Sequence, residues 1–311
     1  MRKTFVQTLT ELMGRDRKIV ALTADMGYGV FEELQSSNPD RFINTGVSEA
    51  NTVGIAAGLA LSGYLPFFYA QAPFATMRCF EQVRLDVASN NLNVKIVGTS
   101  AGFNLSQYGV SHYAVEDVSL MRLLPNMTVI CPGDLYEAKE ATLASVTIKN
   151  PVYIRIGRSD SFGPDRLIHK GRPDFKIGKS ILLKDGTDIA IIATGSMLLT
   201  ACRVEERLKS GGISTALVSM HTVKPIDEEI LSYLGNKVRF IFTIEEHSKI
   251  GGLGSAVFEA VSGIYKASVI MLGTEDRFLH VAGSREYLLK CHSLTVDQIS
   301  EKIIKVYKSN A

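Results

Sequence analysis

Short, mainly apolar runs alternate along the chain with longer segments in which apolar residues recur at helical spacing. The apolar runs predict buried strands, which span residues 19–23, 65–69, 94–98, 152–156, 188–193, 215–219 and 240–244. Strands that alternate with helices are typical of α/β folds built around parallel sheets. We therefore expect an α/β protein in which mostly parallel sheets are flanked by helices.

A polar stretch divides this pattern into two halves. Residues 159–176 are rich in Gly, Pro and Asp and show no sustained apolar period, which suits a linker. A length of 311 residues also fits two domains better than one. We predict a first domain at residues 1–160, a linker at 161–176 and a second domain at 177–311.

Capping residues and glycines predict where several helices begin and end. A helix rich in Gly and Ala is expected at residues 49–62, and one continuous helix at 74–89. Asp134 is a candidate N-cap for a helix that runs to about residue 146. Thr295 and Gln298 have the spacing of a capping box at the start of the last helix.

The composition argues against several functional classes. Hydrophobic residues make up 46% of the chain, and a net charge of +2 gives no basis for binding nucleic acid or an anionic membrane surface. Glycines and prolines interrupt the most apolar stretch, residues 53–74, which predicts a helix and a strand rather than a membrane span. The four cysteines form no CxxC pair, and the N-terminus has no secretory apolar core. These features predict a cytoplasmic protein with reduced thiols.

One carboxylate stands out in this pattern. Glu49 lies at the start of the Gly- and Ala-rich helix and is the only acidic residue between Asp40 and Glu81. A charge that enters an apolar element is costly unless it has a partner, and that partner must come from elsewhere in the chain. A glutamate in a first turn could also simply complement the helix dipole on the surface.

The segment around Glu49, residues 46–60, resembles the thiamine-diphosphate enzymes of the transketolase group. Further runs follow in the order and at the spacing of that family, so the resemblance covers essentially the whole chain. These runs are Phe80-Glu81-Gln82-Val83-Arg84, Tyr108-Gly109-Val110-Ser111-His112, Arg155-Ile156-Gly157-Arg158, and Ile244-Glu245-Glu246-His247 followed by Gly251-Gly252-Leu253-Gly254. The resemblance implies a thiamine-diphosphate-binding fold followed by a transketolase C-terminal-like domain.

The same resemblance implies roles for three residues toward the cofactor. Glu49 would hydrogen-bond the aminopyrimidine ring and activate it. Phe74 would supply a flat face for ring stacking, although the family's usual Ser-Thr-Phe triplet is replaced here by Ala70-Gln71-Ala72. Arg78 matches a position near the pyrimidine. From the residues alone, Phe74 could equally be ordinary core and Arg78 a solvated side chain.

Five residues match, or depart from, the family's substrate-binding positions. The resemblance implies that His112 faces the substrate and moves a proton, since an imidazole titrates near neutrality. Arg158 matches an arginine that binds the distal phosphate of sugar phosphates. A structural histidine and an ordinary salt-bridge arginine are the alternatives. Ser100 and Tyr108 stand where many members have His and Asp, and Gly29 replaces a Ser, so we expect an unusual sugar specificity.

The chain lacks the part of the family pattern that binds the diphosphate. There is no Gly-Asp-Gly motif, because Gly133-Asp134 is followed by Leu135. The resemblance therefore implies no metal ligand in this chain and an N-terminal partner subunit that holds the cofactor's diphosphate and Mg²⁺. We expect an α2β2 heterotetramer with active sites at the subunit interfaces and sugar phosphates as substrates.

Three functions fit this pattern. The first is the C-terminal subunit of a split transketolase, which moves a two-carbon ketol unit between sugars. The second is the beta subunit of a 2-oxo-acid dehydrogenase or a deoxyxylulose-phosphate-synthase-like enzyme; His112 and Arg158 favour sugars over a 2-oxo acid. The third is a degenerate, non-catalytic assembly subunit, which the presence of Glu49 disfavours. Glu245, Glu246 and His247 are interpreted as structural or interface residues.

Overall fold

The computed structural model describes residues 1–157, 168–169 and 171–309. Arg158, the predicted domain end at residue 160 and the first part of the predicted linker lie outside the described residues. The described residues form two sheets. One is built mainly from the residues before this gap and the other from the residues after it.

The first half of the chain contributes six strands and seven α-helices among the described residues. The strands are β1 (Ile19–Thr23), β2 (Phe42–Asn44), β3 (Leu65–Gln71), β4 (Lys95–Thr99), β5 (Thr128–Ile130) and β6 (Val152–Ile156). The helices are α1 (Arg2–Arg15), α2 (Glu32–Ser37), α3 (Glu49–Leu61), α4 (Ala72–Thr76), α5 (Phe80–Gln82), α6 (Asp117–Leu123) and α7 (Leu135–Ser145).

The second half contributes six more strands and five α-helices within the described ranges. The strands are β7 (Ile181–Lys184), β8 (Ile189–Ala193), β9 (Thr215–Ser219), β10 (Thr222–Lys224), β11 (Phe240–Ser248) and β12 (Ser268–Thr274). The helices are α8 (Leu198–Ser210), α9 (Glu228–Lys237), α10 (Leu253–Val261), α11 (Arg285–Cys291) and α12 (Val296–Lys308).

Both sheets are parallel except at one edge. The first has the order β10-β5-β6-β4-β3-β1-β2, and the second has the order β12-β11-β8-β9-β7. β10 is antiparallel to β5, and β7 is antiparallel to β9. Since β10 comes from the second half of the chain but extends the first sheet, the two halves share backbone hydrogen bonds. The predicted α/β class with mostly parallel, helix-flanked sheets is confirmed.

Helices cover both faces of the first sheet because successive strand side chains point to opposite sides. In β3 the buried rings of Phe67 and Phe68 are neighbours in sequence but belong to different cores. Phe68 packs with Val53 and Ala56 of α3, whereas Phe67 packs with Phe5 of α1. This arrangement explains why the strands are continuous apolar runs in the sequence. None of the helices in the described ranges is both long and apolar enough to cross a membrane.

The predicted single helix at residues 74–89 is wrong. After α4 the backbone leaves the helical conformation at Cys79 (φ −119°, ψ 22°), and α5 is followed by a π-helical turn at Val83–Ala88. Helix propensity is a weak preference that tertiary contacts override. Here the break accompanies a contact between Arg78 and the buried Glu49 of α3. The predicted N-cap Asp134 and the capping box of Thr295 and Gln298 are confirmed.

A buried polar cluster joins the two halves beside α7. Glu137 accepts hydrogen bonds from Ser219 of β9 (2.5 Å) and from the backbone N–H of Gly133 (2.6 Å), and it lies 2.8 Å from Nε2 of His169. Asp134 accepts from the N–H of Ile168 at 2.8 Å. Burial lowers the pKa of His169, but the bond to Glu137 outweighs it, so that the pKa is raised above its ordinary value. The bond between the His169 imidazole and the Glu137 carboxylate therefore helps to hold the junction together.

We predict that His169→Gln destabilises the protein more in acid than in base. A raised pKa in the folded state means that the charged form contributes stability below the unfolded-state pKa, and that this contribution is lost as pH rises through the folded-state pKa. The expected loss is about 2 kcal/mol near pH 6 and smaller near pH 9. Urea unfolding at a series of pH values measures it.

His292→Gln is the matched control for this prediction. Burial lowers the pKa of His292, so its contribution to stability is present above the unfolded-state pKa and is lost as pH falls. The control variant should therefore show the opposite trend. A cost for His169→Gln that stays constant across pH would contradict the charged interaction with Glu137.

Candidate active site

The predicted site residues lie where strands of the first sheet end. Glu49 begins α3 shortly after β2, Phe74 lies in α4 directly after β3, and Ser100 follows β4. The carboxyl ends of parallel strands meet at one edge of a sheet, and ligands bind at that edge in open α/β sheets. Glu49, Phe74 and Ser100 therefore lie toward one edge of the sheet although they are distant in sequence.

Glu49 is buried, with 3% of its side chain exposed, and is paired with Arg78. Nη1 of Arg78 donates to Oε1 of Glu49 at 3.0 Å, while 47% of the arginine side chain remains exposed. Among the described residues, no other group donates to this carboxylate. The ion pair compensates a buried charge that would otherwise be strongly unfavourable. The alternative of a surface glutamate at a helix dipole does not hold.

Phe74 lies between Arg78 and His112. The guanidinium carbon of Arg78 is 3.8 Å from the centroid of the Phe74 ring, within the range of a cation–π contact. The ring of His112 approaches the same phenyl ring edge-on, with centroids 5.3 Å apart and an interplanar angle of 71°. Phe74 is half-buried rather than fully enclosed. These contacts do not fit the alternative that Phe74 is ordinary core.

His112 lies at the tip of a loop together with Tyr108. The two ring centroids are 5.0 Å apart, and Oγ of Ser111 is 2.9 Å from Nδ1 of His112. Burial and then the positive charge of Arg78 lower the pKa of His112 below its ordinary value. The imidazole is therefore neutral at pH 7 and able to accept a proton. Sequence reasoning missed Ser111, although a hydroxyl directly before a candidate histidine was the signal for it.

We call Glu49, Arg78, Phe74, Tyr108 and His112 the site cluster. Their contacts run without a gap from the buried carboxylate to the exposed Tyr108 ring. They combine a shielded negative charge, a guanidinium, a half-exposed aromatic ring and a neutral imidazole. Such a set can orient a polar aromatic ligand and exchange a proton beside it.

Ser100, a predicted substrate residue, stands apart from this cluster. Ser100 is buried directly after β4 with a φ of 55°, in the left-handed region that non-glycine residues rarely adopt. Backbone strain of this kind often accompanies binding sites. No hydrogen bond or ring contact joins Ser100 to the site cluster. Arg158 lies outside the described residues. Within the described ranges, no group of three or more His, Cys, Asp or Glu side chains is arranged to hold a metal ion.

Comparison with protein families identifies the chain. The model of the transketolase pyrimidine-binding domain matches residues 1–162, and that of the transketolase C-terminal domain matches residues 178–299. The chain belongs to the transketolase family. The junction between these matched regions falls near the predicted linker.

Relatives of similar length support this membership. A transketolase C-terminal section of Methanocaldococcus jannaschii, which is named as putative, is 40% identical over 99% of this chain and 96% of its own length. A 6-deoxy-6-sulfo-D-fructose transketolase subunit of Clostridium sp. MSTE9 is 38% identical over 96% of this chain and 92% of its own. A solved structure described as a split gene transketolase, inactive beta4 tetramer, is 36% identical with a TM-score of 0.90, covering 99% of this chain and 98% of its own.

We predict that Arg78→Met destabilises the protein by about 1–2 kcal/mol. The change leaves the Glu49 carboxylate buried without its partner, and the exposure of Arg78 keeps the cost below that of a fully buried pair. Glu49→Gln in the same chain should recover most of the loss. A double-mutant cycle followed by urea unfolding measures the coupling. Arg84→Met, which changes an exposed arginine of the same segment, should have little effect, and additive single changes would contradict the coupling.

We also predict that Arg78→Met raises the pKa of His112. The nearby positive charge disfavours the imidazolium, so its removal moves the pKa upward while burial still holds it below the ordinary value. An NMR titration of the His112 ring checks this shift. The pKa of His292, which is lowered by burial and by Arg277, should stay where it is. An unchanged His112 titration would show that Arg78 has no influence on it.

Proposed function

We propose that this chain is the C-terminal, beta-type subunit of a split thiamine-diphosphate-dependent transketolase, which transfers a two-carbon ketol unit between sugars. The observation that carries the proposal is the buried Glu49 carboxylate beside Arg78, Phe74 and His112 at one edge of the first sheet. Membership in a family defined by a pyrimidine-binding domain supports the cofactor. The names of the sulfosugar subunit and of the split gene transketolase support the reaction class.

The residues of the site cluster fit the aminopyrimidine end of this cofactor. Arg78 donates a hydrogen bond to Oε1 of Glu49, and among the described residues no group donates to Oε2. Oε2 is therefore available as an acceptor in a buried site. The ring of Phe74, which Arg78 covers on one side, is half-exposed and would supply a stacking surface for the aminopyrimidine. When bound, thiamine diphosphate stabilises the carbanion character that ketol transfer requires. Glu49 would hold a ring nitrogen through the oxygen that Arg78 does not bind.

His112 would exchange a proton with a substrate hydroxyl. Ser111 contacts Nδ1 of His112, and Nε2 has no hydrogen-bond partner among the described residues, so Nε2 is the ring atom available to substrate. The lowered pKa keeps the imidazole neutral at pH 7, as an acceptor of a hydroxyl proton must be. The adjacent Tyr108 is exposed and would contact the same substrate. It replaces an acidic family residue, which favours a sugar other than the standard pentose phosphates.

A second polypeptide would complete the site. The sequence contains no Gly-Asp-Gly motif, so the diphosphate and Mg²⁺ would be held by an N-terminal partner subunit in an α2β2 heterotetramer. Tyr28 and Val47 follow β1 and β2 at the edge that carries the site cluster, and both are largely exposed. Exposed apolar side chains beside a binding site are typical of a protein interface. A beta tetramer described as inactive is consistent with this need for a partner.

We predict that ketol transfer appears only when this chain is combined with the Gly-Asp-Gly subunit, thiamine diphosphate and Mg²⁺. Glu49→Gln should then lower kcat at least about 100-fold, because the amide cannot share a proton with the cofactor ring as a carboxylate does. Transfer from a panel of ketose donors, with and without phosphate or sulfonate groups, measures the activity and names the sugar. Glu81→Gln, which changes an exposed glutamate, is the matched control and should retain activity.

Two outcomes would contradict this proposal. Release of carbon dioxide from 2-oxo acids without turnover of any sugar would move the assignment to a 2-oxo-acid dehydrogenase subunit. Failure to bind thiamine diphosphate together with no turnover of either substrate class would favour a non-catalytic assembly subunit. Full efficiency on xylulose 5-phosphate and ribose 5-phosphate would leave the reaction in place and reject the unusual sugar specificity.

A further inference from the structure

The loop that carries Tyr108 and His112 is closed at its base by a pair of backbone hydrogen bonds. The N–H of Gly102 donates to the carbonyl of Ala114 at 2.9 Å, and the N–H of Ala114 donates back at 3.1 Å. We call residues 103–113 the His112 loop. Its tip is exposed, whereas its base is buried against the second half of the chain. The contacts at this base decide where the tip lies.

Glu246 of β11 makes the central contact with the loop base. Its side chain is fully enclosed, and Oε1 accepts a hydrogen bond from the N–H of Phe103 at 2.9 Å. A Cβ atom on Gly102 would lie only 2.6 Å from the carboxyl carbon of Glu246, so the carboxylate approaches the loop backbone as closely as a glycine allows. The bond therefore joins the second half of the chain to the first residue of the loop.

Arg285, the first residue of α11, holds this carboxylate in place. Its Nη2 is 2.6 Å from Oε2 of Glu246, and its Nε is 2.9 Å from Oε1, while Ser196 donates to Oε2. Burial opposes ionisation, but Arg285, Ser196 and the N–H of Phe103 together hold the pKa of Glu246 below its ordinary value. A charged, multiply bonded carboxylate has little freedom to move.

The segment before and within α11 makes further contacts with the same loop. Ser106 donates to the carbonyl of Gly283 at 2.6 Å, and the hydroxyl of Tyr113 donates to the carbonyl of Val281 at 2.6 Å. The rings of Phe103 and His292 stack with centroids 5.4 Å apart. Arg285 belongs to this segment. One stretch of the second half therefore contacts the loop directly and also binds the Glu246 carboxylate, which in turn binds the loop base.

We propose that Glu246, held by Arg285, is a positioning residue for ketol transfer: it fixes the His112 loop relative to Glu49 and Phe74. This inference rests on the proposed function. It gives the second half of the chain a direct part in the reaction. It also separates Glu246 from its neighbour Glu245, whereas the sequence led us to interpret both as structural or interface residues.

The contacts predict a specific split between cofactor and substrate. Glu49, Phe74 and Arg78 lie on α3 and around α4, and within the described ranges no hydrogen bond joins any of them to Glu246. His112 and Tyr108 are the members of the site cluster that depend on the loop. Loss of the anchor should therefore disturb substrate handling and leave cofactor binding intact. Misplacement of a reacting group by about 1 Å can cost about 100-fold in rate, so loosening the loop base has a measurable effect.

The experiment uses Glu246→Gln in the full chain, combined with the Gly-Asp-Gly subunit. The amide can still accept from Phe103, but it places an NH₂ group against Arg285 or Ser196 and removes the charge that fixes it. We expect kcat/KM for the sugar donor to fall about tenfold or more, with the Kd for thiamine diphosphate changed less than about twofold. Hydrogen exchange of the amides in the His112 loop should become about tenfold faster in the full chain.

Glu245→Gln is the matched control. Glu245 lies in the same strand, is equally buried, and accepts from the N–H groups of Leu253 and Gly254 at the start of α10. Among the described residues, no hydrogen bond or ion pair joins Glu245 to the His112 loop. This variant should leave loop exchange and kcat/KM close to those of the wild type, whatever it does to overall stability.

If the Glu246→Gln variant does not fold, the Arg285→Lys variant is used for the same measurements. Lysine keeps the charge beside Glu246 but not the planar fork, so a smaller change of about threefold in the same quantities is expected. The inference is overturned if the variants at 246 or 285 change loop exchange and kcat/KM no more than Glu245→Gln does. If the wild-type pair nevertheless turns over a sugar, only the role of Glu246 is rejected and the proposed function is retained. No sugar turnover by the wild-type pair rejects the proposed function and, with it, the role of Glu246.

Discussion

The buried carboxylate of Glu49 is the constraint on which the candidate site depends. A negative charge enclosed at the start of α3 needs a cation, and Arg78 supplies it from a segment 29 residues further along the chain. The helix that the sequence predicts through Cys79 is broken next to this arginine. The same guanidinium lies over the Phe74 ring. Its positive charge also lowers the pKa of His112, as a smaller contribution than that of burial. One arginine thus contacts both the carboxylate and the aromatic ring of the candidate site and contributes to the lowered pKa of its histidine.

The two halves of the chain act as one structure around this site. β10 extends the first sheet from the second half, and the cluster of Glu137, His169 and Ser219 joins them inside. Glu246 and the segment around α11 hold the base of the His112 loop. The first half provides the edge at which a cofactor would bind, and the second half determines how the loop over that edge is held.

Much of the fold could be predicted from the sequence because it depends on local pattern. The runs at residues 19–23, 152–156 and 215–219 form strands with those bounds, since strands buried on both faces are continuously apolar. Helix starts at Glu49 and after Asp134 were also predictable, because glycine content and capping chemistry are local. The helix break at Cys79 and the antiparallel edge strand β10 could not be predicted in this way, because both involve contacts with residues distant in sequence.

The sequence by itself determined the class of the fold, the family, and most of the side chains that form the site cluster, because residue type, order and spacing carry that information. Only the tertiary structure decided which of them touch, since a hydrogen bond or a ring contact depends on distance in space. It showed that Glu49 pairs with Arg78 and that Phe74 lies between Arg78 and His112. Within the described part of the chain, no hydrogen bond joins Ser100 to these residues. It also distinguished Glu246 from Glu245: the two are neighbours of the same residue type in one strand, and their side chains point to opposite faces and bind different parts of the protein.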